Sequence, residues 1–457
     1  MRLLLDHASR RNLLGFASLC SLIGIAELGQ RLQGSRAVHA HRLLLLVPTT
    51  TYRAAPFSDA ARALGVEVTI ASEEPSTLEG LQPGALLTLP FGDPQAAAAG
   101  AVAFARMHPL DAVLAVDDGA TEAAAAIAEA LGLCHHPPAA VAAARDKLRC
   151  REVLADAGLP QPAWRLVADG DDADEVAREL AAGAAPSGVA FPCVVKPRQL
   201  AASQGVIRTD DPAQFVAALG RLRALLAQPA VARVAGEGLL LEEYIPGPEV
   251  AVEALARDGA VEILEIFAKP DIGEGPFFPE ETYVAPAGLD EAQRELVAGT
   301  TVRAAAALGL SEGAIHAELR LHDGEAWVID IAGRSIGGLC ASVLRFGTVS
   351  LEELLLRHAL GRKLPSLERD GSAVGVRMLY PPRAGKLRSV RGQTAAEAVA
   401  GVTGIRITAH RGQELLPPPE GGAYLGFIFA ACATPVEVVA ALTVAAAELD
   451  IRVDAQS

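Results

Sequence analysis

The sequence predicts a mixed α/β and α+β chain: a parallel α/β domain first, an α+β core in the middle, and a β-rich domain with a closing helix last. Three observations predict it. Short apolar runs alternate with helical stretches over about 41–137, the pattern of a parallel sheet. From 191 to 331 short strands with Gly/Pro turns take over, interrupted by two helices. Beyond 372 strands return, followed by one last helix. At 457 residues and roughly 150 residues per domain, about three domains are expected. The chain is 51% hydrophobic and 21% charged, enough apolar material for several cores, which excludes a disordered or fibrous protein.

The elements follow in order. An apolar run at 43–47 ends at Pro48 and three threonines. A short helix at 58–64, strands at 66–70, 85–89 and 112–116, and a helix at 121–131 continue the alternation. The alanine runs at 96–99 and 123–126 read as compositional drift with a helical bias. The first turn has no G-x-G-x-x-G, so a dinucleotide site has no support there. Asp117-Asp118 follows a strand where open α/β sheets hold ligands, although two loop carboxylates are more often solvated. Pro137-Pro138 marks a boundary, and a single helix is expected from 139 to 157. Helices at 213–226 and 291–308 interrupt the central strands, and 351–360 is helical. The third region has strands at 374–380 and 423–430 and a helix at 435–449. The expected domains are 41–137, 138–365 and 366–457, with 1–40 set apart as an extension.

Charge narrows the partners. Lys and Arg number 40 against 55 Asp and Glu, a net charge of −15, which disfavours general binding to nucleic acid or anionic membranes. A local basic pocket for a nucleotide remains compatible with it. The six cysteines are scattered, without a C-x-x-C pair, and His135-His136 has no ligand cluster beside it in sequence. Neither a disulfide framework nor a zinc site is expected, and the cysteines read as small core residues.

Chemistry concentrates between 145 and 338, in five pieces. The first is Arg145-Asp146-Lys147. The second is Phe191-Pro192-Cys193-Val194-Val195-Lys196-Pro197, in which Lys196 ends a β-branched strand and needs an anionic partner, either carboxylate or phosphate. The third, Ala201 to Gly205 with Ser203 and Gln204, is a small-residue loop whose N–H groups and Ser203 hydroxyl would cover phosphates. No Gly-Lys-Ser/Thr follows it, so it is not a Walker A loop. In the fourth, Glu242 and Glu249 flank a Pro-Gly turn, seven residues apart. Glu242 suits an exocyclic amine, Glu249 two vicinal hydroxyls, and Glu243 and Ile245 offer backbone groups to a base edge. A hairpin with solvated glutamates is an equal reading of that piece alone. In the fifth, strand alternation puts His316, Glu318 and Arg320 on one face, and Asp330 and Ala332 on one face of the next strand. Two carboxylates on neighbouring strands suit Mg²⁺, and Arg334 beyond them would clamp a phosphate or carboxylate. An ordinary Glu318–Arg320 salt-bridge set is the alternative.

Taken together in this order and spacing, the pieces resemble the ATP-grasp superfamily, and more narrowly its L-amino-acid ligase-like carboxylate–amine ligases. The resemblance covers roughly 43–455 and is strongest over 145–350. It implies a pre-ATP-grasp N-terminal domain, a two-subdomain ATP-grasp core and a C-terminal β-rich cap, which Tyr380–Leu387 and Leu415–Phe427 fit. It implies that Lys147, Lys196 and the Ser203-Gln204-Gly205 loop hold the ATP phosphates, that Glu242, Glu243, Ile245 and Glu249 hold the adenosine, and that Glu318 and Asp330 carry Mg²⁺, or Mn²⁺ in its place. Lys196 and Arg334 would be catalytic. Lys269-Pro270-Asp271 and Phe277–Thr282 also look like this subgroup, with Glu281 meeting the substrate's amino group and Arg334, Gly337 and Gly338 on the substrate side. One departure matters: many ATP-grasp enzymes have Asn two residues after the second metal carboxylate, where this chain has Ala332, and Asp330 replaces the commoner Glu.

The implied reaction is ADP-forming. A carboxylate attacks the γ-phosphate of ATP to give an acyl phosphate, and an amine then displaces phosphate to leave an amide. The expected partners are a small-molecule amino acid and a second amino acid or small amine, with no nucleic acid, no membrane, and a homodimer as any self-association. A carboxylase or purine-pathway ligase on the same scaffold is the enzymatic alternative, and a nucleotide-binding regulator without turnover, suggested by Ala332, the non-enzymatic one. Ser9-Arg10-Arg11-Asn12-Leu13-Leu14 resembles a twin-arginine export motif, and Val38-His39-Ala40 passes as a cleavage site. The apolar run at 13–25 is too short to span a membrane. Exported compartments lack ATP, so the cytoplasm is expected.

Overall fold

The computed structural model describes residues 41–183, 188–232, 237–369 and 371–455. The expected extension with its twin-arginine-like motif lies outside them. The described chain forms two compact units: 41–134 with Ser350–Leu364, and His135–Val349 with Pro365 onward. Among the described residues, no helix is long and apolar enough to cross a membrane.

The first unit is built on a four-stranded sheet in the order β3-β2-β1-β4, comprising β1 (Arg42–Leu46), β2 (Glu67–Ser72), β3 (Leu86–Thr88) and β4 (Ala112–Ala115). All its pairings are parallel. Leu43 to Leu46 are wholly buried, as a central parallel strand covered on both faces requires. The helix Thr121–Leu131 falls where the sequence puts it and stops at Gly132 in the left-handed region. The alanine run at 96–99 belongs to a full helix, Pro94–Ala105, started by Pro at its first turn and by Asp93, whose side chain accepts from Ala96 N–H. Leu351–Ala359 packs on Ala54–Ala63, so this stretch of the expected central domain belongs to the first unit.

The second unit holds two larger sheets. One is antiparallel, in the order β5-β8-β6-β7, from β5 (Trp164–Val167), β6 (Cys193–Pro197), β7 (Ile207–Thr209) and β8 (Leu239–Glu243). Helices Ala173–Ala181 and Pro212–Leu226 cover one face, where Val176, Leu180, Phe215 and Leu219 meet Val195 and Leu241. The other sheet has eight strands. Five come from the middle of the chain: β9 (Glu249–Arg257), β10 (Ala260–Ala268), β11 (Thr282–Ala285), β12 (Gly313–His322) and β13 (Glu325–Ala332). Helix Glu291–Leu308 packs its Val297, Ala304 and Ala305 on Ile315, Ala317, Leu319 and Ile331. Three C-terminal strands, Ala373–Leu379, Gly426–Cys432 and Val402–Ile407, continue the same sheet through the pairing of β11 with Ala373–Leu379. The C-terminal region is thus joined to the core by backbone hydrogen bonds.

One expectation is corrected and one alternative reading is excluded. The helix expected from 139 to 157 is two, Pro138–Arg145 and Lys147–Asp156. Asp146 between them is extended, caps Leu148 N–H at 3.0 Å and is ion-paired to Arg198. Glu242 and Glu249 do not flank a hairpin: β8 and β9 belong to different sheets, and residues 244–248 are the crossover between them.

Candidate active site

Two charged clusters lie in the second unit. The first is built on β6 and β8. Val195 points into the apolar core, so Lys196 points the other way, diagonal to Glu242, which stands opposite Val194. Lys196 Nζ lies 2.6 Å from Glu242 Oε2. Arg151, on the helix that Asp146 caps, donates Nε to Glu242 Oε1 at 2.7 Å and its terminal nitrogens to the Val328 and Ile329 carbonyls of β13. Lys147, the first residue of that helix, donates to the Leu200 carbonyl at 3.0 Å and lies 3.3 Å from Asp330. Burial raises the Glu242 carboxyl, but Arg151 and Lys196 outweigh it and hold the group below its ordinary value. Burial lowers the Lys196 ammonium by more than the Glu242 charge restores. Three cations here meet two carboxylates, and the excess positive charge is what an anion such as phosphate would neutralise.

The second cluster has the opposite sign. Lys269, just past β10, lies 2.5 Å from Glu249, 2.9 Å from Glu318 and 3.5 Å from Glu280. Glu249 also accepts from Arg320 Nε at 2.8 Å, and Arg320 donates on to the Ile245 carbonyl. His316 Nδ1 is 2.6 Å from Glu253, with its Nε2 3.8 Å from Glu318. Burial lowers the imidazole pKa, but hydrogen bonds with Glu253 and Glu318 raise it further, to about 9, so His316 counts as a cation. Burial raises Glu318, yet Lys269 and His316 hold it well below the carboxylate range. Glu280 is raised by burial, which the Lys269 charge only partly offsets. Lys269, Arg320 and His316 thus meet Glu249, Glu253, Glu280 and Glu318, three cations against four carboxyl groups. The expected face of His316, Glu318 and Arg320 exists. The Glu318–Arg320 salt-bridge alternative does not, because Arg320 goes to Glu249 and Glu318 to Lys269.

The clusters meet at Glu318 and Asp330, which are direct cross-strand partners on β12 and β13. Oxygen donors of this kind suit Mg²⁺, and an ionised Glu318 fits a divalent cation. Ala332 brings no oxygen, and its cross-strand partner is His316. Beyond β13, the Ile336 N–H donates to Glu253 Oε2 at 3.0 Å, and Arg334 donates to the Ser335 carbonyl at 2.9 Å. Gly337 and Gly338 continue this turn. Gly338 is left-handed, and a Cβ there would lie 3.0 Å from the Phe427 ring.

The remaining candidates are placed differently. Ser203 Oγ lies 3.5 Å from Glu280, while Gln204 and Gly205 bond to the C-terminal segment, Gly205 N–H to the Pro419 carbonyl at 2.8 Å and Gln204 to the Glu420 carbonyl at 2.6 Å. Glu243 N–H donates to the Ala163 carbonyl. Glu281 is ion-paired with Arg377 at 2.6 Å, and it is its neighbour Glu280 that reaches Lys269. Sequence reasoning missed Arg151, Glu253 and Glu280 and gave Lys269 no role. Lys269 carried a signal, a lysine closing an apolar strand before a proline, as Lys196 does. Arg151 carried none.

Comparison with known proteins agrees with the mixed α/β fold. Residues 189–343 match the family model of an ATP-grasp domain, 58–135 an ATP-grasp N-terminal domain, and 377–454 L-amino acid ligase C-terminal domain 2. A D-alanine–D-alanine ligase of Stutzerimonas stutzeri is 28% identical over 231 residues, 48% of this chain and 65% of that protein. Dapdiamide A synthase of Enterobacter agglomerans is 29% identical over 236 residues, 50% of this chain and 52% of that protein. The matches therefore span between half and two thirds of these curated relatives. The solved structure of an L-amino acid ligase from Bacillus licheniformis superposes with a TM-score of 0.72 at 26% identity, covering 92% of this chain and all of that one.

Proposed function

The chain belongs to the ATP-grasp superfamily and is L-amino-acid ligase-like, and on that premise we propose that it is an ADP-forming carboxylate–amine ligase. It would join an amino acid to a second amino acid or small amine through an acyl phosphate. The observation that carries the reading is the pair of clusters of opposite sign joined at Glu318 and Asp330. One has room for phosphate charge and the other for a cation, which is the charge distribution of a nucleotide with its metal.

On this reading Lys147 and Lys196 hold the ATP phosphates, and the Ser203-Gln204-Gly205 loop covers them. Glu242, Glu243, Ile245 and Glu249 hold the adenosine, Glu242 and Glu249 being fixed in place by Arg151, Lys196, Lys269 and Arg320. Glu318 and Asp330 would carry Mg²⁺ (or Mn²⁺), which when bound neutralises charge on the phosphates. Arg334 holds the transferring group in planar two-point fashion, and Glu281, Gly337 and Gly338 border the amino-acid substrate. The substrate carboxylate attacks the γ-phosphorus and ADP leaves; the amine nitrogen then attacks the acyl carbon and phosphate leaves. The residues supply position and fixed charge throughout. Such a reaction belongs in the cytoplasm, where ATP is available.

A panel assay of ADP release over pairs of amino acids and amines, with and without bicarbonate, with mass analysis of the products, tests the proposal. Amide product with stoichiometric ADP supports it. Release that depends on bicarbonate favours the carboxylase alternative, and ATP binding without ADP release under any pair favours the regulator suggested by Ala332.

A further inference from the structure

The phosphate-covering loop is held from outside its own subdomain. Ala202 and Ser203 both have φ of 53°, and Gly205 has φ of 77°. Two successive non-glycine residues in the left-handed region are costly to hold, so something must fix this loop. The C-terminal segment 417–422 does so, with the two bonds from Gly205 and Gln204 already described. Glu420, whose carbonyl takes one of them, is itself anchored by its carboxylate. Arg221, on helix Pro212–Leu226, grips it in two-point fashion, Nη2 to Oε2 at 2.9 Å and Nε to Oε1. The Arg221 guanidinium also lies over the Phe277 ring, 5.1 Å from its centre. Gly421 lets the segment fold tightly, since a Cβ there would lie 1.8 Å from the Leu416 carbonyl oxygen, and Gly422 runs against the Gln204 side chain. A little further along, Tyr424 Oη donates to Glu280 at 3.0 Å, inside the second cluster.

We propose that Arg221 and Glu420 are positioning residues for the ligase reaction: their ion pair holds segment 417–422 as a strap over the phosphate-covering loop, keeping water from the acyl phosphate until the amine attacks. The proposal rests on the ligase reading for its chemistry. Neither residue touches the reacting atoms; both act through Gln204 and Gly205. Isolated surface ion pairs contribute little, but a two-point Arg–carboxylate pair is the geometry that contributes most. An open loop admits water, which attacks the acyl phosphate in place of the amine, giving the free carboxylate and phosphate. ADP is then released without amide.

The test uses the full chain with Glu420→Gln, Arg221→Ala and the charge-exchanged double variant Arg221→Glu with Glu420→Arg. Hydrogen exchange of the Gly205 amide, read in the protein alone, is expected to rise about fivefold in each single variant, the effect of one good exposed ion pair, at an unchanged melting temperature. The ratio of ADP released to amide formed rises in parallel, with kcat for ADP release held or increased, and the exchanged pair returns most of both effects. Gly421→Ala, which displaces the strap without touching the ion pair, gives the same pattern. Unchanged exchange at Gly205 in folded single variants overturns the proposal, as does faster exchange with an unchanged ADP-to-amide ratio. If the parent makes no amide with any substrate pair, the ligase reading fails, and with it the proposed role in coupling, whereas the exchange measurement still decides whether the strap holds the loop.

Discussion

Lys196 and Arg334 separate two kinds of contribution that a single residue can make here. Lys196 is 4% exposed and shares Glu242 with Arg151. Lys196→Met therefore leaves Glu242 with one buried cation, and the fold is expected to survive. The nucleotide loses a buried charge partner, worth about 2–5 kcal/mol, so ATP affinity measured by calorimetry should fall at least about thirtyfold. Unchanged ATP affinity in a folded Lys196→Met protein would remove Lys196 from the site. Arg334 follows β13, on a turn held by Glu253 through the Ile336 N–H. Arg334→Lys keeps the charge but loses the planar fork. ATP should bind nearly as in the parent while ADP release drops by about two orders of magnitude, as on losing one oriented stabilising donor. Equal losses in binding and turnover would make Arg334 a binding residue, and a lowered melting temperature alone would make it structural.

At the scale of elements, the break at Asp146 decides where Lys147 and Arg151 point. A continuous helix from 139 to 157, as the sequence suggests, would lack the cap that starts Lys147–Asp156. The signal was available as an Asp immediately before a new helical run, masked by good helix formers on both sides. Asp146→Ala removes the cap to Leu148 and the pair with Arg198. It should cost about 1–2 kcal/mol in denaturant unfolding and also weaken ATP binding, because Lys147 is the first residue of the helix. A stability loss with unchanged ATP affinity would show that the cap serves the fold alone. Period-2 alternation made the strand faces legible: Lys196 opposite Val195, and His316, Glu318 and Arg320 together. Arg151 was not legible, because an arginine on a helix looks the same whether it meets solvent or, as here, Glu242 in a strand 91 positions away. The crossover between β8 and β9 was hidden for the same reason, since strand partners are set by distant residues.

Across the second unit, the C-terminal strands share one sheet with the strands carrying Glu249, Glu318 and Asp330, so changes at the clusters bear on the stability of the whole unit. The clusters have opposite excess charge, and Glu318 and Asp330 join them, so nucleotide and cation should bind with positive coupling. Each makes good the imbalance that the other leaves. Thermal unfolding reads this directly, because a ligand that binds only the folded form raises the melting temperature. At about 100 times its dissociation constant, a ligand adds about 2.7 kcal/mol, a shift of several degrees for a unit of this size. ATP with Mg²⁺ should give that shift, and ATP with a chelator, or Mg²⁺ alone, clearly less than half of it. Glu318→Gln keeps the side-chain volume and leaves Lys269 its pair with Glu249, but it removes a carboxylate that Lys269 and His316 hold well below its ordinary range. The free protein should therefore melt below the parent, and the ligand-induced shift is read against the variant's own melting temperature. What it should lose is the coupling: the shift with ATP and Mg²⁺ falls toward that with ATP alone, and Mn²⁺ in place of Mg²⁺ does not restore it. If Glu318→Gln keeps the full Mg²⁺-dependent shift, the cation binds elsewhere and Glu318 serves only to hold Lys269 and His316 in place.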